Sequence, residues 1–253
     1  LDDFIVFSRS GGIGTITLNR PEVRVFWSEA VAKQLALALN AVEFDDTLRA
    51  TVLTVAGPPS RLKRVVEEHR PDGDKAIIHE EWDRLFETMC RLKKPCVAAI
   101  NSIAAGSAFQ VALLCDIRIA HARALIGRPG WVRAPGGLNG AVIEHDQFTR
   151  IAANGHILSG NLISADRCLE LGLINQIVPE EDLMTEAFML AQNIAGVSTR
   201  DKDLPKRRLW ELSSHGFRAR IELSKRVYKD AYKSARPTKA FERLMENRAT
   251  RAT

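Results

Sequence analysis

Two short runs, Ala50–Val55 (ATVLTV) and Cys96–Ile100 (CVAAI), carry no charge at any position. A strand that is apolar at both odd and even positions has no face to offer to water. It belongs inside a sheet that is covered on both sides. Such sheets are built from parallel strands joined by crossover helices, so the segments between the runs must supply helices that bury them.

The flanking text meets that demand. Residues 5–7 and Ile13–Leu18 alternate around Gly11-Gly12, the pattern of a hairpin. Ser28 is placed to cap a helix over residues 28–44, in which Val31, Leu35, Leu39 and Val42 recur at helical spacing. A second helix is expected over residues 74–92, bearing Trp82 and Leu85, and a short apolar one over 109–114, followed by a third buried strand over 116–120. Strand, helix, strand, helix, strand predicts a right-handed parallel βαβ stack.

From about residue 140 the strand signals thin. Ser164 opens a helix that closes at Gly172, residues 173–178 read as extended, and residues 180–195, 217–235 and 237–249 read as helices. The last two are separated by Arg236-Pro237, and residues 198–205 read as a linker. The expected division is an α/β core over residues 1–196 and a helical region over 197–253.

At 253 residues, 45% hydrophobic and 26% charged, the chain can bury roughly 70 to 75% of its unfolded surface in one core. That composition excludes a disulfide miniprotein, a disordered tail and a collagen-like repeat. No apolar run approaches the roughly 18 residues of a membrane span, and Leu1-Asp2-Asp3 lacks the features of a signal peptide, so a soluble protein is expected. Cys90, Cys96, Cys115 and Cys168 form no C-x-x-C pair, which suggests neither zinc nor a disulfide framework and fits a reducing, cytoplasmic setting.

The charge is uneven. Residues 198–253 hold sixteen Lys and Arg against seven Asp and Glu. This is either a solvated helical face or an anion site for a phosphorylated ligand or nucleic acid. Tyr228 and Tyr232 are stacking rings nearby, but no nucleic-acid motif accompanies them, and RNA binding has the least support.

The most informative stretch is Val97-Ala98-Ala99-Ile100-Asn101-Ser102-Ile103-Ala104-Ala105-Gly106-Ser107-Ala108-Phe109-Gln110. A buried strand runs through small residues into a helix, so bare backbone N–H groups and the positive helix end converge on one point. Such a corner either holds an anion or a polarised carbonyl oxygen, or is simply a tightly packed turn.

On these residues, and on Gly14-Thr15-Ile16-Thr17-Leu18-Asn19-Arg20-Pro21, Cys115-Asp116-Ile117-Arg118-Ile119-Ala120, Gly127-Arg128-Pro129, Pro135-Gly136-Gly137, Leu158-Ser159-Gly160, Ser164-Ala165 and Leu171-Gly172-Leu173-Ile174-Asn175, the chain resembles the crotonase (enoyl-CoA hydratase/isomerase) superfamily over nearly its whole length. The resemblance implies an α/β fold with a crotonase-like ββα spiral core and a helical C-terminal trimerisation region. It also implies acyl-CoA thioester substrates and an enolate-like oxyanion held by two backbone N–H groups. One N–H falls on Ser107, where the family usually has Gly; the amide is retained while a Cβ is added beside it. The other falls in the shortened Pro58-Pro59-Ser60 stretch, where Ser60 alone can donate, or else that stretch is only a rigid turn.

Hydratases of this family use two glutamates, and the matching positions here read Gln110 and Gly130. An amide orients water but cannot take its proton, and glycine offers nothing, so acid–base help worth about 10² to 10⁴ in rate is missing. Glu144 and His145 are either a substitute base and orienter or part of a solvated helical face. His69 and His79 are either acids or surface groups, and Trp131 either an acyl wall or a core ring.

The resemblance places coenzyme A contacts at Val23, Arg24 and Gly106, with CoA arriving as part of the substrate and no further cofactor or metal. It also implies a homotrimer or a dimer of trimers. The expected function is therefore lyase, isomerase or hydrolase chemistry on an acyl-CoA, or related carbonyl compound, through an oxyanion hole. The alternative is a non-catalytic homologue that binds CoA esters or a partner.

Overall fold

Gly11 and Gly12 both adopt positive φ, 54° and 78°, the backbone that a two-residue hairpin turn matched to strand twist requires. In the computed structural model of the protein they join β1 (Ile5–Ser10) to β2 (Ile13–Leu18) in antiparallel register, Ser10 opposite Ile13. The structure describes residues 4–19, 29–56, 78–105, 107–127 and 162–196, together with residues 206, 219 and 222.

From β2 onward the main sheet is parallel. β3 (Ala50–Val55) pairs with β2, β4 (Cys96–Ile100) with β3, β6 (Ile117–His121) with β4, and β9 (Gln176–Val178) with β6, giving the order β1-β2-β3-β4-β6-β9. The two chargeless runs are β3 and β4 and lie side by side in the interior, as their composition requires. A second sheet of three-residue strands, β5 (Ile103–Ala105), β7 (Leu125–Gly127) and β8 (Leu162–Ser164), stands apart from it.

Helices cover both faces of the main sheet. On one face α1 (Glu29–Phe44), α2 (Ile78–Arg91) and α3 (Ser107–Leu114) pack through Leu35, Leu39, Leu85, Phe86 and Phe109 against Ile16, Leu53 and Ala98. Burying side chains of this size contributes about 1.5 to 3 kcal/mol each. On the other face α5 (Leu183–Gly196) presents Leu183, Ala187, Ala191 and Ala195 at four-residue spacing to Ile13, Val52, Val97 and Ile119. The alanines let that helix approach the strands closely.

Several boundaries differ from the sequence reading: β1 runs on past residue 7 to Ser10, and the strand expected over 116–120 spans Ile117–His121. The third helix begins at Ser107, two residues before the apolar run, because small residues carry its first turn. The strand expected over 173–178 is reduced to Gln176–Val178. Asn175 stops it: its backbone N–H donates to Arg118 O at 2.8 Å, and its Oδ1 accepts from Arg118 N at 2.9 Å, so a side chain stands in for a ladder carbonyl. The last helix of the core starts at Leu183, not at residue 180.

Ser164 caps α4 (Ala165–Glu170) by accepting from Arg167 N at 3.3 Å, and Gly172 leaves the helix at φ 72°. The Ser28 cap lies outside the described residues. Beyond Gly196 only Lys206, Ala219 and Glu222 are described, each helical. The boundary expected at 197 and the linker expected over 198–205 lie outside the described residues, and the helices expected over 217–235 and 237–249 fall almost wholly outside them.

Candidate active site

At the carboxyl end of β4 the chain turns through Asn101 and Ser102 into β5 and then enters α3 at Ser107. Two side chains fix this corner to the strand next door. Thr54 Oγ1 donates to Ala99 O at 3.0 Å, and Asn101 Nδ2 donates to Val55 O at 2.6 Å. The end of β3 and the start of the corner are therefore held as one unit. The chain leaves Val55 toward Ser60, which lies outside the described residues.

β5 pairs in parallel with β7, so that Ala105 faces Gly127. One strand leads into α3 and the other toward the segment that holds Gly130. Ser107 is the first residue of α3, and its N–H is one of the amides that an α-helix leaves without an internal carbonyl. α3 has no acidic residue in its first turn to neutralise the helix end. Gln110 follows one turn later and is 2% exposed. A buried amide at that position orients a neighbouring group without adding charge.

Leu18, Val55, Ile100, Asn101, Ala104 and Ala108 are among the residues that line a cavity of about 50 Å³ between the corner and the ends of β2 and β3. Its described lining is apolar apart from Thr54, Asn101 and Ser102. An apolar recess beside a helix N-terminus is the arrangement of a small-molecule site at the carboxyl ends of parallel strands. Chemically it can desolvate an acyl chain and concentrate positive potential where a carbonyl oxygen would sit.

Of the residues singled out in the sequence, the structure places Ser107 and Gln110 together, on the first turn of one helix. Ser60, Gly106, Gly130, Glu144, His145, Val23, Arg24, His69 and Trp131 lie outside the described residues, as does the side chain of His79. Thr54 and Asn101 were not singled out. A threonine inside an apolar strand followed by an asparagine at the end of the next is the signal that carried them. Among the described residues no group of three His, Cys, Asp or Glu side chains is gathered as a metal site, and no helix is long and apolar enough to cross a membrane.

Comparison with known proteins agrees with this architecture. The enoyl-CoA hydratase/isomerase family model matches residues 8–251. The chain is 30% identical over 243 residues to the 1,2-epoxyphenylacetyl-CoA isomerase of Escherichia coli, covering 92% of each protein. It is 28% identical over 200 residues to a probable mitochondrial enoyl-CoA hydratase of Dictyostelium discoideum, covering 75% of this chain and 69% of that protein.

Among solved structures, a monofunctional enoyl-CoA isomerase from M. smegmatis superposes with a TM-score of 0.68 at 28% identity over 83% of this chain and 93% of that one. An enoyl-CoA hydratase/isomerase from Pseudoalteromonas atlantica reaches 0.79 at 20% identity over 97% and 98%, a likeness of fold. The strand-to-helix corner, the parallel sheet that carries it and these matches agree: the chain belongs to the enoyl-CoA hydratase/isomerase family and has the crotonase fold.

Proposed function

We propose that the protein acts on an acyl-CoA thioester by stabilising an enolate-like oxyanion at the start of α3, and that it does not use the two-glutamate route of hydration. The observation that carries this reading is the placement of Ser107, whose N–H opens α3 next to an apolar recess. A thioester carbonyl seated there gains charge as its α-carbon is deprotonated or as a bond to that carbon breaks. A fixed amide stabilises the charge without reorganising, which is worth about 2.7 to 4 kcal/mol per donor. Ser60 N–H is the proposed second donor.

Gln110 holds a group in place beside this site and moves no proton. With glycine at residue 130, proton transfer falls to groups elsewhere, with Glu144 and His145 as the proposed pair. That assignment favours isomerisation, decarboxylation or carbon–carbon cleavage over addition of water. Val23, Arg24 and Gly106 are the proposed contacts to coenzyme A, which enters as part of the substrate. The proposed assembly is a homotrimer or a pair of trimers, in the cytoplasm.

A survey of acyl-CoA thioesters, read by mass change and by thermal shift, tests the reading. Turnover of at least one thioester is expected, with no hydration of a simple enoyl-CoA. Stabilisation by many thioesters without turnover of any would replace it with a second reading, a CoA-ester-binding protein. The amide at Gln110 and the lack of any titratable side chain in the described lining favour that second reading.

A further inference from the structure

The structure brings together two cysteines that lie nineteen residues apart in the chain, at the end of the fold away from the proposed site. Cys96 opens β4 and Cys115 follows α3, and the Cys96 thiol donates to Cys115 Sγ at 3.5 Å. Cys115 Sγ in turn donates to Val111 O at 3.4 Å. Both are buried, 1% and 3% exposed. We propose that Cys96 and Cys115 form a redox-modification site, a vicinal dithiol in space that closes to a disulfide on reaction with hydrogen peroxide.

The surroundings assign the two sulfurs different parts. The guanidinium of Arg118 donates through one Nη to Cys115 O at 2.5 Å, which sets a cation next to Cys115. Lys206 Nζ and Asp116 Oδ2 pair at 2.6 Å, and Asp116 Oδ2 also accepts from Cys96 N at 2.7 Å. Both contacts are to backbone atoms, a carboxylate at Cys96 N and a guanidinium at Cys115 O. The hydrogen bond to Cys115 and burial hold the Cys96 thiol well above the ordinary thiol pKa, so Cys96 keeps its proton.

Cys115 gives up its proton as its sulfur attacks one peroxide oxygen. The O–O bond breaks, the departing hydroxide takes that proton and leaves as water, and Cys115 becomes a sulfenic acid. Cys96 sulfur then attacks Cys115 sulfur. The S–S bond forms as the S–O bond breaks, and the departing hydroxide takes the Cys96 proton as a second water. Two thiols are oxidised and one peroxide is reduced. The sulfurs need only close from 3.5 Å to about 2.05 Å, within the reach of side-chain rotation.

The ring so formed encloses residues 97–114: the rest of β4, the corner, β5 and all of α3. Oxidation would tie the two ends of the strand–turn–helix unit together at the end remote from Ser107. Shorter opening excursions of α3 follow, because the bond forbids its last turn from parting from β4.

The test is peroxide treatment of the whole folded chain carrying Cys90→Ser, which removes the most exposed thiol as a competitor. The expected product has lost two hydrogens, links the Cys96 and Cys115 peptides on non-reducing digestion, and reverts with dithiothreitol. Its melting temperature rises by about 5 °C, and the α3 amides exchange more slowly with solvent. In a Cys96→Ala variant, dimedone should trap a sulfenic acid on Cys115. Oxidation of Cys115 to the sulfinic level with Cys96 still a thiol would overturn the proposal. So would recovery of both as alkylatable thiols after a dose that converts Cys90 in the parent chain.

Discussion

The two ends of the parallel strands are built on opposite principles. At the amino end polar groups are spent on fastening. Lys94 Nζ donates to Val42 O and Asp45 O at 2.8 and 2.7 Å, tying down the last turn of α1. Glu43 accepts from Lys93 N at 3.0 Å, and Asp116 links the start of β4 to Lys206. Arg118 donates to Leu173 O at 2.6 Å and to Ala112, Leu113 and Cys115 carbonyls at 3.3, 3.3 and 2.5 Å, taking up the orphan carbonyls at the end of α3.

At the carboxyl end the described residues are arranged differently. Side-chain bonds from Thr54 and Asn101 hold the corner, and beside it lie an apolar recess and the start of α3. One end secures the scaffold. The other carries the recess and the helix start, where parallel strands place their binding crevice.

Substitutions at the two ends should therefore separate activity from stability. The largest effect is expected from Ser107→Pro. Proline is well tolerated at the first position of a helix, so the fold should lose less than about 1 kcal/mol. Removing the amide should lower kcat on a processed thioester by about 10² to 10³. Equal loss of stability and activity would erase the distinction between the ends.

Arg118→Met is the converse test. Stranding the carbonyls at the end of α3 should cost about 3 kcal/mol in urea unfolding, while kcat and KM per folded molecule stay unchanged. A changed KM would place Arg118 in the site. Lys94→Met should cost about 1 to 2 kcal/mol, through the two carbonyls and the helix end it serves, and leave thermal stabilisation by CoA esters as it was.

The smallest effect is one of pH. Burial pushes the Cys168 thiol from an ordinary 9.0 up to about 12. The unfolded chain ionises this group first, so the stability it contributes is complete below about pH 9 and is lost as pH rises toward 12. Urea midpoints of Cys168→Ala should therefore fall less between neutral and alkaline pH than those of the parent chain. Parallel curves would mean that the thiol is no more shielded than in the unfolded state.

The scaffold end and the site end also differed in how much the sequence disclosed. β2, β3, β4 and α1 were readable because each is long enough for its period, or its lack of one, to register. The second sheet was not, since three-residue strands such as Ile103–Ala105 and Leu125–Gly127 present too few positions to establish alternation. Ser107 and Gln110 are candidates that the strand-to-helix corner and its resemblance to a known family single out. The amino-end fasteners were invisible because Arg118 meets Leu173, and Lys206 meets Asp116, across long stretches of chain. No local pattern announces such pairings.

Among the described residues three pairs, Ile103 with Leu125, Ala104 with Ile126 and Ala105 with Gly127, join the strand leading to Ser107 to its neighbour in the small sheet. The six-stranded sheet takes no part in that ladder. The position of the residue-107 amide is thereby referred to β7 and not to the strands of the large sheet.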